Sequence, residues 1–318
     1  MKRYLALLFS GLIFSATALA QSYPNRPIKM IVPFPPGQAS DTISRLVGEE
    51  LAKSLGQPVV VENRAGAGGN IGSDVGARAE PDGYTLTIAT AALPISKHVR
   101  KLPFDPATDF APVTLMTITP LVLVVRPDLP VNSVKELIAY GKSNPGKLTF
   151  ASSGVGTSHQ LSGELFKTLA GIDMLHVPYQ GSAPAHLDIM GGRVDMMFDN
   201  IVPVTPHIQK GSLKALAVTT TTRAKSLATV PTMVESGMPN FEAVAWFGVL
   251  APAKTPQPII DRLNKEIVAI LKRPEISERL AAMGAFVVGN TATEFKSFFI
   301  AEIDKWGPIV SRANIRVD

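Results

Sequence analysis

The sequence of 318 residues contains no cysteine. Disulfide bonds, thiolate nucleophiles and zinc sites with cysteine ligands are therefore excluded, because each of them needs a cysteine sulfur. A lipid anchor attached to an N-terminal cysteine is excluded for the same reason.

The sequence also lacks a large excess of charge of either sign. The chain carries 31 Lys and Arg against 26 Asp and Glu, and the small positive excess is scattered, without a basic stripe or interleaved aromatic residues. Nucleic-acid binding is therefore not expected. The charge balance indicates no more than a weak preference for anionic ligands.

The only long apolar run stands at the N-terminus. Lys2 and Arg3 precede an apolar stretch over residues 4–14, and Ala18-Leu19-Ala20 matches the small-x-small pattern of a cleavage site. The stretch is shorter than the roughly 20 apolar residues that span a bilayer. We therefore predict a cleavable signal peptide over residues 1–20. Export of a cysteine-free chain favours a Gram-negative periplasm.

The order of strands and helices predicts two α/β lobes. A chain of this length is near the size at which single cores divide. Strand and helix patterns alternate from Ile28, restart at the apolar strand Leu121–Val125, and give way to helices after Leu250. We predict lobe 1 over 21–124 and 244–318, lobe 2 over 125–243, and two hinge crossings near Val124 and Ala243. Each lobe is expected to hold a parallel, doubly wound sheet.

Three segments share one pattern, in which a strand is followed by a loop of small residues and then by the start of a helix. They are Pro33–Asp41, Ser152–His159 and Pro178–Pro184. Ligands of open α/β sheets lie beyond the carboxyl ends of the strands, where helix N-termini offer unpaired N–H groups to carboxylate or phosphate. The alternative is that these segments are ordinary capped turns.

Other chemistries find little support. The Gly154-x-Gly156 pair lacks the third glycine of a dinucleotide fingerprint, because His159 stands in its place. No G-x-S-x-G elbow is present, although Ser153, His159 and Asp199 could form a hydrolytic triad; His159 is equally suited to be a helix cap or a ligand donor. The five histidines show no metal-binding spacing. We expect no metal and no cofactor.

Two further positions leave alternatives open. Asp41 and Arg45 have the spacing of an i,i+4 ion pair, so Asp41 either contacts the ligand or serves the helix N-terminus. Trp246 either forms a wall of the cleft or fills the core.

Long motifs give the chain a specific resemblance. They are YPNRPIKMIVPFPPG from Tyr23, ENRAGAGGNIG from Glu62, PDGYTL from Pro81, LPFDPATDFAPVTL from Leu102, FASSGVGTSHQLSGELF from Phe150, VPYQGSAPA from Val177, FDN from Phe198, LKALAVTT from Leu213 and VPTMVESGMPNFE from Val230. In order and spacing the sequence resembles the tripartite tricarboxylate transporter receptors, also called the Bordetella uptake gene (Bug) family. The resemblance implies a type II periplasmic binding protein fold whose lobes close on a small organic carboxylate.

The resemblance also implies which residues hold the ligand, through backbone amides, hydroxyls and bridging waters. The predicted ligand-binding residues are Phe34, Pro36, Gly37, Gln38, Ala39, Asp41, Ser152, Ser153, Gly154, Gly156, Thr157, His159, Tyr179, Gly181, Ala185 and Asp199. The chain departs from the family at Gln38, where a second glycine is usual, so this side chain is expected to alter the pocket.

These observations together predict a monomeric, non-enzymatic receptor. It is expected to pass its ligand to the subunits of a cognate membrane transporter. One alternative is a sensor that presents its closed form to a two-component kinase, and another is an enzyme on the same fold.

Overall fold

The computed structural model describes residues 23–241 and 243–312. The predicted signal peptide over residues 1–20 lies outside this range. Among the residues described, no helix is both long enough and apolar enough to cross a bilayer.

The chain begins with parallel strands connected by helices. The elements are β1 (Ile28–Val32), α1 (Ala39–Leu55), β2 (Val59–Asn63), α2 (Asn70–Ala77) and β3 (Thr85–Thr90). β1 pairs in parallel with both β2 and β3. Ile43, Val47 and Leu51 are buried along one face of α1, and Gly56 ends this helix at a φ of 66°, a left-handed conformation that favours glycine. The predicted β-α-β-α-β order is confirmed.

Most of the later strands and helices that the sequence predicts are present, in the predicted order. The strands are β4 (Phe110–Val125), β5 (Leu148–Ser152), β6 (Met174–Pro178), β7 (Met196–Asn200), β8 (Lys214–Val218), β9 (Val244–Pro252) and β10 (Phe286–Val287). The helices are α3 (Ala92–Val99), α4 (Val134–Ser143), α5 (Ser158–Ala170), α6 (Ser182–Met190), α7 (Ile201–Gln209), α8 (Gln257–Leu271), α9 (Pro274–Ala282) and α10 (Ala292–Arg312).

The sequence prediction lacks α3, α7 and the short strand β10, and it differs from the structure at the start of β4. α3 was not predicted; Pro94 lies in its first turn, where a missing N–H costs no helical hydrogen bond. β4 begins at Phe110 rather than Leu121, and its first part carries threonines that are fully buried, such as Thr114 and Thr117. The start of this strand therefore cannot be predicted from a run of apolar residues.

β4 connects the two halves of the sheet system. The strand order is β2-β1-β3-β9-β4-β7-β5-β6, with β10 and β8 also paired to β4. From Phe110 to Pro120, β4 pairs with β9; from Leu121 to Val125 it pairs with β7 and β8. The exchange of partners lies slightly before the crossing predicted near Val124. The two-lobed α/β fold is confirmed, whereas the exact lobe boundaries stay a prediction. The expectation of purely parallel sheets is wrong, because β4 pairs antiparallel with β7, β8 and β9.

The C-terminal helices pack back onto the first part of the chain, as expected. α8 packs against α1 and β4, and α10 packs against α3 and β4. Trp246 is 1% exposed, lies edge-on to Phe295 and Phe299, and donates a hydrogen bond from Nε1 to Glu302 Oε2 at 3.0 Å. This tryptophan therefore fills the core and does not form a wall of the cleft.

Candidate functional site

The three predicted loops meet at one cleft. The loop before α1 lies close to the loop before α6: a Cβ atom added at Gly181 would be only 3.0 Å from Pro35 Cγ. The loop before α5 lies close to a fourth segment, the glycine-rich turn around Gly68: a Cβ atom added at Gly154 would be 3.6 Å from Gly68 Cα. Glycines allow these backbones to come together without an intervening side chain.

An inner cavity lies at the centre of this cleft. It is lined by Phe34, Gln38, Ser40, Thr90, Ala91, Ala92, Ser153, Thr157, Ser158, His159, Asn200, Ala245 and Phe247. Helices α1 and α5 begin at this cavity, so the N-terminal N–H groups of both are close to it. Its lining contains hydroxyls, amides and one imidazole, but no carboxylate and no cationic side chain.

An outer cavity of about 220 Å³ adjoins the inner one. It is lined by Phe34, Pro35, Ala65, Gly66, Ala67, Gly68, Gly69, Arg100, Ser153, Gly154, Val155, Pro178, Tyr179, Gln180 and Gly181. The two cavities share Phe34 and Ser153, which therefore stand between them.

The structure distributes the predicted site residues over three positions. Phe34, Gln38, Ser153, Thr157 and His159 line the inner cavity, and Gly154, Tyr179 and Gly181 line the outer one, together with Phe34 and Ser153. Pro36 and Gly37 line a groove beside α6 and α7. Ala39, Asp41, Ser152, Gly156, Ala185 and Asp199 line neither cavity.

Asp41 supports the first loop from behind. Its carboxylate accepts hydrogen bonds from the Gly37 N–H, Arg45 Nε and Asn63 Nδ2, each at 2.9 Å. Burial opposes its ionisation, but these donors outweigh burial and lower the pKa of Asp41. Of the two roles left open for Asp41, the structure therefore supports the one at the helix N-terminus.

A chain of hydrogen bonds runs from β4 to the inner cavity. Thr119 Oγ1 is 3.0 Å from Asn200 Oδ1, Asn200 Nδ2 is 2.9 Å from His159 Nε2, and His159 Nδ1 is 2.8 Å from Ser153 Oγ. With the Asn200 amide in this orientation, His159 accepts at Nε2 and donates from Nδ1. The Ser153 oxygen then accepts from His159, which leaves its own proton free to donate into the cavity.

Asp199 is completely buried beneath this chain. It accepts from Ser182 Oγ at 2.9 Å and from the Asn200 N–H at 2.7 Å, and its second oxygen is 2.6 Å from His186 Nε2. Burial raises the pKa of Asp199, but the hydrogen bonds from Ser182 and His186 help to bring it below its usual value. Asp199 thus joins the start of α6 to the end of β7 and shapes the site without lining it.

The triad suggested by the sequence is assembled, but in an unsuitable arrangement. His159 Nε2 lies 3.3 Å from Asp199 Oδ1 as well as close to Asn200. Burial lowers the pKa of His159, so the ring is neutral. Because its Nδ1–H donates to Ser153, this ring cannot take the serine proton as a general base would.

Two parts of the site were not predicted from the sequence. Residues 90–92 stand at the end of β3, just as the predicted loops stand at the ends of their strands, and this position was the available signal. Arg100 gave no signal, because it follows the unpredicted helix α3. No cluster of three His, Cys, Asp or Glu side chains that could hold a metal exists within 23–241 and 243–312.

Comparisons with known proteins agree with this architecture. The family model described as the tripartite tricarboxylate transporter family receptor matches residues 43–315. The protein BugT of Bordetella pertussis is 40% identical over 314 residues, which cover 96% of each chain.

Solved structures are similar over nearly the whole chain. The periplasmic binding protein BugD is 37% identical with a TM-score of 0.88, and R. palustris Rpa4515 with adipate is 36% identical with a TM-score of 0.90. Each similarity covers 93% of this chain and 100% of the other.

Proposed function

This chain belongs to the tripartite tricarboxylate transporter receptor family, and we propose that it captures a small organic carboxylate between two closing lobes and delivers it to a membrane transporter. The family consists of periplasmic solute-binding receptors, to which BugT and BugD are related. The proposed ligand class is supported by the adipate bound to Rpa4515 and by the chemistry of the inner cavity.

Unpartnered polar groups at the start of α1 carry this proposal. Gln38 Nε2 and Ser40 Oγ have no hydrogen-bond partner among the residues that the structure describes, although the two residues are only 8% and 2% exposed. Both residues line the inner cavity. Buried polar groups without partners are costly, so a ligand that accepts hydrogen bonds from them would stabilise the protein.

The first turn of α1 adds backbone donors at the same place. No side chain caps this helix at Gln38, and a 17-residue helix presents a partial positive charge at its N-terminus. With the Ser153 hydroxyl across the cavity, these neutral donors suit a carboxylate, because it can accept several hydrogen bonds. Waters would bridge any donor that the ligand does not reach directly.

A pair of serines on α1 tests the proposed site. A thermal-shift screen of carboxylic acids should first identify a ligand, since an acid present at 100 times its Kd stabilises the folded state by about 2.7 kcal/mol. Ser40→Ala should then weaken binding of that acid about tenfold in calorimetry, because a hydrogen bond to a charged group contributes about 1.5–3 kcal/mol.

Ser44→Ala is the matched control. Ser44 is also buried and unpartnered, one helical turn further along α1, but it does not line the inner cavity. We expect its affinity to equal that of the unmodified protein. Equal affinities for all three proteins would contradict the placement of the carboxylate at the start of α1.

A further inference from the structure

Arg100 is a cation without a partner at the cleft. It lines the outer cavity, where its Nη2 would lie 3.9 Å from a Cβ added at Gly68. No carboxylate in the described part of the chain pairs with it, and its buried Nε has no hydrogen-bond partner. Arg126, by contrast, pairs with both Asp128 and Asp195.

The surroundings of Arg100 make it the dominant charge of the outer cavity. The lining contains no Asp or Glu, and its other titratable side chain, Tyr179, is neutral: burial raises its pKa to about 12, and its hydroxyl donates to Asp188 Oδ2 at 2.7 Å. Glycine backbones form much of the remaining wall. An anion placed there would meet one guanidinium and no opposing charge.

Burial of the Arg100 guanidinium has an unfavourable free energy, and no acidic side chain in the described protein compensates for it. Loss of solvent lowers the pKa of Arg100, which means that its charged form is less favourable here than in water. Arg100 follows α3 directly, and its backbone N–H donates to Ser96 O at 3.2 Å. A helix end attracts a cation weakly, but a carboxylate offers a bidentate partner that matches the guanidinium.

We infer that Arg100 binds a second carboxylate of the ligand, so that this receptor selects dicarboxylates over monocarboxylates of the same length. The inference rests on the proposed function, in which the first carboxylate occupies the inner cavity at the start of α1. The linings of the two cavities share Phe34 and Ser153, so the proposed ligand would extend from the inner cavity past these two side chains into the outer one.

The test compares matched acids on matched variants. Straight-chain dicarboxylates from butanedioate to octanedioate, and the monocarboxylates of equal length, are titrated calorimetrically into the mature chain. The unmodified protein should bind its best dicarboxylate at least about tenfold more tightly than the matched monocarboxylate. Arg100→Gln should remove this preference while leaving monocarboxylate affinity within about twofold.

Lys101→Gln controls for long-range attraction. Lys101 is an exposed neighbouring cation that does not line the outer cavity, so its removal should leave the preference unchanged. Arg100→Lys should retain part of the preference, since it keeps the charge but loses the bidentate geometry.

The possible failures are distinguishable. If Arg100→Gln weakens both members of a pair equally, or if the unmodified protein shows no preference, the second subsite is wrong and the proposed function stands. If the unmodified protein binds none of these acids, the proposed carboxylate function fails and this inference fails with it.

Discussion

Gly154 shows how a single residue controls the approach of two segments. Its φ of 129° lies in a region that residues with a Cβ rarely adopt. A Cβ at this position would already touch Gly68 Cα and Tyr179 O at 3.6 Å. Larger side chains would therefore hold the two sides of the cleft apart, in addition to blocking access to a ligand.

We expect Gly154→Val to weaken ligand binding at least tenfold, about 1.4 kcal/mol, because its branched side chain would crowd Gly68 and Tyr179 and fill part of the outer cavity. The matched control is Gly192→Val. Gly192 also has a positive φ, 73°, but a Cβ there would meet no atom within 4 Å.

Both valine variants should lose on the order of 1–2 kcal/mol of unfolding free energy from backbone strain. Only Gly154→Val should also lose affinity in calorimetry. Unchanged affinity of Gly154→Val would show that the Ser152–His159 loop does not take part in binding.

At the residue scale, the sequence predicted the glycines and hydroxyls of the three loops but not how each one is used. Ser153 and Gln38 line the inner cavity, whereas Asp41 and Asp199 lie behind it. Asp41 stands in the first turn of α1 and Asp199 near the end of β7, two positions that a ligand contact could equally occupy. Only the three-dimensional structure shows that their oxygens are already occupied by donors from distant segments.

At the scale of elements, His176 joins two parallel strands near the cleft. It stands on β6, its Nε2 is 2.7 Å from Ser152 Oγ at the end of β5, and its ring stacks on Phe150. Burial lowers the pKa of His176 to about 4. The folded protein therefore holds this ring neutral in mildly acidic solution.

We expect the stability of the protein to fall as the pH decreases from about 6.5 towards 4. In the unfolded chain a histidine has a pKa of about 6.5, so the unfolded state takes up a proton in this range that folded His176 does not. The contribution of His176 is fully present above pH 6.5. Partial exposure of the ring limits the loss to on the order of 1–2 kcal/mol.

Urea unfolding near pH 7 and near pH 5 measures this effect. His176→Gln keeps a hydrogen-bonding side chain at the position but cannot titrate, so its stability should decline less between the two conditions. His159 and His207 also have lowered pKa values because of burial, and therefore a smaller decline should remain. An identical decline in both proteins would refute this role of His176.

Local signals explain which elements could be predicted. Ser133 accepts from the Glu136 N–H and caps α4, and Gly171 ends α5 at a φ of 61°; both features depend on neighbouring residues alone. The first part of β4 depends instead on distant partners, because Thr114 and Thr117 are buried by the rest of the fold. Apolar periodicity cannot reveal such a strand.

At the scale of the whole molecule, ligand binding should compact the protein. The loops in contact across the cleft correspond to the arrangement that we propose for the bound form. A ligand that bridges both sides favours this form, since only contacts that differ between two states shift their equilibrium. Hinge closure needs few residues to change their backbone angles.

Small-angle scattering with and without the acid found in the screen tests this expectation. The radius of gyration should be smaller with the acid, and the neutral amide of the same acid, added at equal concentration, should leave it unchanged. An identical radius in all three samples, for an acid shown to bind at the inner cavity, would mean that the cleft is rigid and already formed.

The pairing of β4 with β9 limits the kind of motion that is available. β4 passes from one half of the sheet system to the other, and β9 begins beside the point where it does so, with Thr119 opposite Ala245 and Pro120 opposite Val244. Two strands bonded side by side must bend as one ribbon, and Pro120, which has no N–H, reduces the hydrogen bonding of the ladder at that point. We therefore expect the two halves of the molecule to rotate mainly about one axis. A partner protein would then recognise the ligand-bound form by the angle between the halves.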